Sequence, residues 1–114
     1  MDRYHIWCDL KPGEDDLAFA RNVDAWLGHL RGKGALREWR VTRRKLGLSP
    51  DGFGDFHIMV GTDDLAQLDR AFNVAAARQG DPEALHGAVY GAVTNARFAL
   101  YRDFPDPVRE GGGG

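Results

Sequence analysis

Phe56-His57-Ile58-Met59-Val60-Gly61-Thr62-Asp63-Asp64-Leu65-Ala66 repeats, with small changes, what Tyr4-His5-Ile6-Trp7-Cys8-Asp9 begins and Asp15-Asp16-Leu17-Ala18 completes. Each copy opens on an aromatic residue, His and Ile, and runs on into paired aspartates, Leu and Ala. Apolar residues at every second position mark a strand. Acids at the head of an apolar stripe mark the first turn of a helix, where backbone N–H groups are unpaired and the dipole favours negative charge. A strand followed by an acid-headed helix therefore occurs twice, and this repeat decides the fold.

Residues 4–10 place Tyr4, Ile6, Cys8 and Leu10 on one side of a strand and His5, Trp7 and Asp9 on the other. Lys11-Pro12-Gly13 breaks it, and Glu14, Asp15 and Asp16 head a helix with Leu17, Ala20, Val23, Leu27 and Leu30 as its stripe, widened by Phe19 and Trp26. Gly32-Lys33-Gly34 ends that helix. Residues 36–46 read as a basic strand, with Trp39 and Val41 against Arg40, Thr42 and Arg44, and residues 47–55 have the turn chemistry of a hairpin loop. The third strand is 56–61. Thr62 is the expected N-cap of a second helix carrying Leu65, Leu68, Phe72 and Ala75 or Ala76, ending near Gly80-Asp81-Pro82. Beyond it, a short helix over 83–93 and a strand over 97–104 fit better than one continuous helix, because Phe98, Leu100 and Arg102 alternate with Ala99, Tyr101 and Asp103. The domain spans 1–108, and 109–114 is a Gly-rich tail.

Strand, helix, strand, strand, helix, short helix, strand, in two echoing halves, is the α+β arrangement called ferredoxin-like, a βαββαβ sandwich. Right-handed crossovers put both long helices on one face of a four-stranded antiparallel sheet with strands one and three at its centre. Tyr4, Ile6, Cys8, Phe56, Ile58 and Val60 then face the helices. Opposite residues of an antiparallel pair point the same way, so His5, Trp7, Asp9, His57 and Met59 share the other face. A Trp and a Met on a bare sheet make an exposed apolar patch of the kind that marks an interface or a ligand cleft. A second copy, packed sheet against sheet, is expected to cover it and enclose a cavity.

At 114 residues, 43% hydrophobic and 28% charged, the chain fits one soluble domain. A formal charge of -2 gives no general attraction to nucleic acid or anionic membranes. No apolar run reaches the ~18 residues of a membrane span, and the N-terminus enters a strand with no signal-peptide pattern, so a cytoplasmic protein is expected. One cysteine, Cys8, makes no internal disulfide and reads as a small buried apolar residue. Gly-rich phosphate loops and Gly-x-Ser-x-Gly are absent, which removes nucleotide and serine-hydrolase readings.

Tyr4-His5-Ile6-Trp7-Cys8-Asp9-Leu10-Lys11-Pro12-Gly13, Trp39-Arg40-Val41-Thr42-Arg43-Arg44-Lys45-Leu46-Gly47, Phe56-His57 and Leu100-Tyr101-Arg102-Asp103-Phe104-Pro105-Asp106-Pro107 resemble a small bacterial family of uncharacterised proteins in the dimeric α/β-barrel, ferredoxin-like superfamily. The resemblance covers residues 4–108 and implies the fold and a homodimer. That family is similar only in architecture to cofactor-free monooxygenases, lactone isomerases, haem-degrading enzymes and stress-response barrels, so no catalytic residue carries over.

From the residues themselves, His5 and His57 are the candidate catalytic pair, since two imidazoles on one face can exchange protons near neutral pH. Hydrogen bonding inside a dimer interface is the competing reading. Metal binding lacks a third ligand with diagnostic spacing, so no metal, haem or other cofactor is expected. Trp7, Asp9, Arg40, Thr42, Arg44, Met59 and Tyr101 are the candidate ligand-binding residues: Arg40 and Arg44 suit either a bound carboxylate or enolate or a solvated edge strand, and Tyr101 faces the cavity or the helices according to the register of the last strand. His29 and His86 read as surface or capping residues. The leading expectation is an enzyme, monooxygenase- or isomerase-like, acting on an aromatic or anionic small molecule in a His/Trp/Arg-lined cavity. Its rival is a non-enzymatic ligand-binding or stress-response protein. An RNA-binding sheet fits badly, because Phe56-His57-Ile58-Met59 lacks the spaced aromatics that stack bases.

Overall fold

A computed structural model of the chain describes residues 1–76 and 80–105. The element order is β1 (Asp2–Leu10), α1 (Asp16–Gly32), β2 (Glu38–Arg43), β3 (Phe56–Thr62), α2 (Leu65–Ala75), α3 (Gly80–Tyr90) and β4 (Val93–Arg102). The four strands form one antiparallel sheet in the order β2-β3-β1-β4, the ferredoxin-like arrangement, with the two echoing strands at its centre. Tyr4 lies opposite Val60, Ile6 opposite Ile58 and Cys8 opposite Phe56. That apolar ladder, with Phe19, Val23, Leu27 and Leu30 from α1, makes the core.

Both acid-headed helices start as their sequence requires. The Asp15 carboxylate accepts from the Ala18 N–H at 2.8 Å, and the Asp64 carboxylate accepts from the Gln67 N–H at 2.8 Å. The Gln67 side chain in turn accepts from the Asp63 N–H at 2.7 Å, which fixes the chain's entry into α2. Thr62 is therefore not the cap. It is the buried last residue of β3, donating from its hydroxyl to the Asp2 carbonyl at 3.2 Å.

Three other expectations shift. The α1 stripe is rotated, with Leu17 66% exposed while Phe19 and Trp26 are buried. The second strand spans Glu38–Arg43 rather than 36–46, because Leu46 and Gly47 take positive φ and turn the chain. The last strand begins at Val93, four residues early, and passes a register shift opposite Trp7 and Asp9, where Asn95 has φ 54°. The expected tail, 109–114, lies outside the described residues. No described helix is long and apolar enough to cross a membrane.

Candidate functional site

The alternation of each strand distributes the candidate residues over the two faces of the sheet. On the helix-free face, β1 carries His5 and Trp7, β3 carries His57 and Met59, and β2 carries Arg40 opposite Met59 and Thr42 opposite His57. β4 adds Arg97 opposite Trp7 and Ala99 opposite His5, with Tyr101 next along the strand.

His5 Nδ1 and His57 Nε2 are 2.8 Å apart, and the ring centroids are 5.0 Å apart with planes 9° from parallel. So long a centroid separation for so short a nitrogen contact means that the rings meet edge to edge, where the imidazole lone pair points. The Thr42 hydroxyl lies 3.5 Å from His57 Nδ1 and donates to the His57 carbonyl at 3.4 Å. One tautomer pair satisfies all three contacts: His57 protonated on Nδ1 toward Thr42, and His5 donating from Nδ1 to His57 Nε2. The Trp7 ring lies 4.7 Å from that of His57 and nearly parallel to it, Phe53 tilts over Trp7 at 4.7 Å, and Tyr101 stands edge-on to His5 at 5.3 Å. Partial burial lowers both imidazole pKa values, and Arg3 lowers His5 further while His5 lowers His57.

His5, Trp7, Arg40, Thr42, His57, Met59 and Tyr101 thus share one face. Asp9 and Arg44 do not join them. The Asp9 carboxylate accepts from the Asp55 N–H at 2.9 Å and from Asn95 Nδ2 at 3.2 Å, so it ties the hairpin loop to the irregular start of β4. Arg44 lies past the end of β2 and is held by Asp55 and, at 3.1 Å, by Ser49. The two residues flank an open groove beside the start of α1, where Arg43 is similarly paired with Asp16. Arg40 makes no ion pair among the described residues.

A cavity of about 310 Å³ opens on the opposite side of the sheet, between strands and helices. Tyr4 and Ile6 of β1 and Phe98 of β4 form its floor, and Trp26 of α1, Phe72 of α2, and His86 and Tyr90 of α3 its roof. It exists because small side chains, Ala71, Ala75 and Ala96, stand where larger ones would fill the space between α2 and the sheet. Phe72, Tyr90 and Phe98 are 46%, 64% and 56% exposed, which marks the mouth. His86 lies 5.0 Å from the Trp26 ring and 5.7 Å from the Tyr90 ring, and burial alone lowers its pKa. Burial also raises the Tyr4 phenol, and it raises the Cys8 thiol to about 11 with help from Asp9. Burial thus holds the His86 imidazole, the Tyr4 phenol and the Cys8 thiol toward their uncharged forms on an apolar wall. Such a wall can accept or return a proton.

His86 reads in the sequence as a surface or capping residue, yet the helix periodicity held the signal that places it here. His86 and Tyr90 are four residues apart on α3, beside Val89, and so lie on one side of that helix. His29 is also not a plain surface residue, since its Nε2 is buried with no hydrogen-bond partner among the described residues and its ring lies 6.1 Å from Trp26. No described cluster of three His, Cys, Asp or Glu side chains could hold a metal ion.

Residues 1–112 match a family described as "Family of unknown function (DUF6614)". The chain belongs to this family. No curated protein matches it. Among solved structures it is similar to an Arabidopsis thaliana protein, at TM-score 0.73 and 5% identity over 93% of this chain and 98% of that one. It is similar to SnoaB, a cofactor-independent oxygenase from Streptomyces nogalater, at TM-score 0.66 and 10% identity over 92% and 97% of the two chains. A dimeric ferredoxin-like protein of unknown function from Thermobifida fusca matches at TM-score 0.59 and 14% identity over 90% of each chain. At these identities the likeness establishes the fold of this DUF6614 member, and its chemistry has to be argued from its own side chains.

Proposed function

We propose that this DUF6614 protein is a homodimeric cofactor-free enzyme that binds an aromatic or otherwise apolar small molecule in the helix-side cavity, where His86 moves a proton. The cavity carries the reading. Its volume is at the lower end of the range of small-molecule sites, and its wall is apolar with a few polar groups near the mouth. Among the described residues no Lys or Arg lines it, which favours an uncharged ligand over the expected anionic one, and Arg40 and Arg44 have no part in it. Among the described lining residues His86, whose pKa burial lowers, is the group able to take a proton near pH 7. The likeness to a cofactor-independent oxygenase supports enzyme chemistry at the level of architecture only.

The helix-free face then serves as the dimer interface. Trp7, Phe53, Met59 and Tyr101 offer an apolar surface with no helix over it, and the Thermobifida fusca relative in fold is dimeric. In this reading His5 and His57 belong to the interface and not to the reacting centre.

Binding of 1-naphthol, followed by tryptophan fluorescence, tests the cavity. The native protein should bind it, and Ala75→Phe, which fills the space from α2, should weaken binding at least tenfold while far-UV circular dichroism stays unchanged. Equal binding by both proteins rejects the cavity as the site. If a ligand is bound yet never converted, the protein is a non-enzymatic carrier.

A further inference from the structure

Two imidazoles joined nitrogen to nitrogen can hold only a limited number of protons. The neutral pair carries two ring hydrogens, one inside the 2.8 Å His5–His57 contact and one on His57 toward Thr42. A third proton enters at His5 Nε2 and leaves the bond intact. A fourth would put an N–H on both nitrogens of the contact, abolish the bond and set two cations side by side.

The surroundings do not compensate positive charge. From β1 the nearest charged side chain is Arg3, held by Asp103 at 2.6 Å and by Glu38 at 3.2 Å, so both carboxylates are already engaged by that guanidinium. From β2 the pair is faced by Arg40 and Thr42, from β3 by Met59, from β4 by Arg97, Ala99 and Tyr101, and from the hairpin loop by Phe53 above Trp7. Arg97 also reaches toward Phe53, 6.0 Å from its ring. Asp9 is turned away toward Asp55 and Asn95. Arg3 and the N-terminal ammonium, 3.7 Å from Asp103, together balance the Asp103 and Glu38 carboxylates, and the remaining charged side chains facing the imidazoles, Arg40 and Arg97, are cations.

We infer that the His5–His57 pair links association of two copies through this face to protons, holding the dimer at neutral pH and releasing it in mild acid. The inference rests on the dimer of the proposed function and is independent of the cavity. A second sheet laid over the face removes water from both imidazole pairs and brings a second set of arginines, so the covered state disfavours protonation more strongly than the open one. By linkage, protonation must then disfavour the covered state to the same degree. If each copy takes up one proton on separating, the dimer dissociation constant rises by up to about 100-fold per pH unit once the free imidazoles titrate.

Sedimentation equilibrium at pH 8.0, 7.0, 6.0 and 5.0, on the native protein and on His5→Gln/His57→Gln, provides the test. The native dimer should hold at pH 8.0 and 7.0 and weaken at least 100-fold by pH 5.0, whereas the double variant should change less than tenfold. A native dissociation constant unchanged down to pH 5.0 overturns the inference and leaves the dimer standing. A double variant as pH-sensitive as the native protein overturns it too, by assigning the protons to other groups. A native monomer at pH 8.0 overturns both inference and dimer. Should the double variant not fold, histidine ring NMR of the native protein decides: His5 and His57 must titrate in coupled steps below the ordinary value of 6.5 as dimer signals vanish, and independent titration at that value overturns the linkage.

Discussion

Tyr4 and His5 are consecutive in β1 and face opposite sides of the sheet, Tyr4 edge-on to Phe72 at 5.3 Å in the cavity floor and His5 hydrogen-bonded to His57 on the helix-free face. One strand therefore serves two places that do not share side chains. Tyr4→Ala should enlarge the cavity, cost about 2 to 3 kcal/mol and change 1-naphthol affinity. His5→Ala should leave that affinity within twofold and alter association instead. Probe titration and light scattering on the two variants measure both effects, and crossed results would show that the two faces are not separate sites.

His86 is the proposed proton acceptor, so His86→Leu should preserve or improve binding of an apolar ligand while lowering turnover about 10²- to 10⁴-fold. The comparison needs kcat and affinity measured separately once a substrate is found by screening neutral aromatic compounds. A variant that loses affinity but keeps kcat would make His86 a binding contact and not a base.

The fold was legible in the sequence because the repeated strand and acid-headed helix are local patterns that the core enforces. Alternation likewise placed His5, Trp7, His57 and Met59 on one face, whereas the register of strands two and four, and with it the side taken by Arg40, Thr42 and Tyr101, was open in the sequence. Two kinds of information were not local. Asp9 and Arg44 leave the face because a turn at Leu46-Gly47 and an irregular start to β4 redirect the chain, and both depend on a loop whose partners lie far off in sequence. The cavity was hidden because it is an absence, bounded in part by Ala71, Ala75 and Ala96, which are far apart in sequence. Polar residues draw the eye to an open face, and alanines do not announce a void.

Acid should destabilise the protein in two stages. His5, His57 and His86 have pKa values lowered by burial, so the unfolded chain binds protons first as pH falls through 6.5. Stability is therefore full above that value and declines below it. The carboxyls of Asp2, Asp16 and Asp103, lowered mainly by hydrogen bonds from Arg102, Arg43 and Arg3, add stability that is present above 3.8 and lost as pH falls through their folded values. Urea titrations between pH 8 and 3 should show a decline starting near 6.5 and a steeper one near 4. Constant stability from pH 7 to 5 would contradict the histidine stage.

Asp2 and Arg102 close the sheet at the β1–β4 edge. The Asp2 side chain is 4% exposed, and Arg102 donates to its two oxygens from Nε at 2.5 Å and from a terminal nitrogen at 3.3 Å. Removing the guanidinium leaves a buried carboxylate with its strongest partner gone, so Arg102→Ala should cost about 3 kcal/mol. Arg102→Ala/Asp2→Ala should recover part of that loss, because the charge left stranded is then absent too. Urea unfolding of the four proteins of the cycle measures the coupling, and strictly additive losses would mean that Asp2 is held by something other than Arg102.

Gly54 ties the hairpin loop to the sheet by closeness alone. A Cβ at this position would stand 2.3 Å from both the carbonyl carbon and the oxygen of Cys8, and backbone at that distance cannot step aside. Gly54→Ala should therefore push the loop off β1, costing about 2 to 4 kcal/mol if the strand holds its place. The loop carries Phe53, whose ring covers Trp7, and Asp55, whose N–H reaches Asp9. Displacing it should expose Trp7 and red-shift the tryptophan emission while the cavity on the other side of the sheet keeps its 1-naphthol affinity. Emission unchanged in a folded Gly54→Ala protein would show that the loop does not hold Phe53 over Trp7, and the apolar surface assigned to the second copy would lose one of its four members.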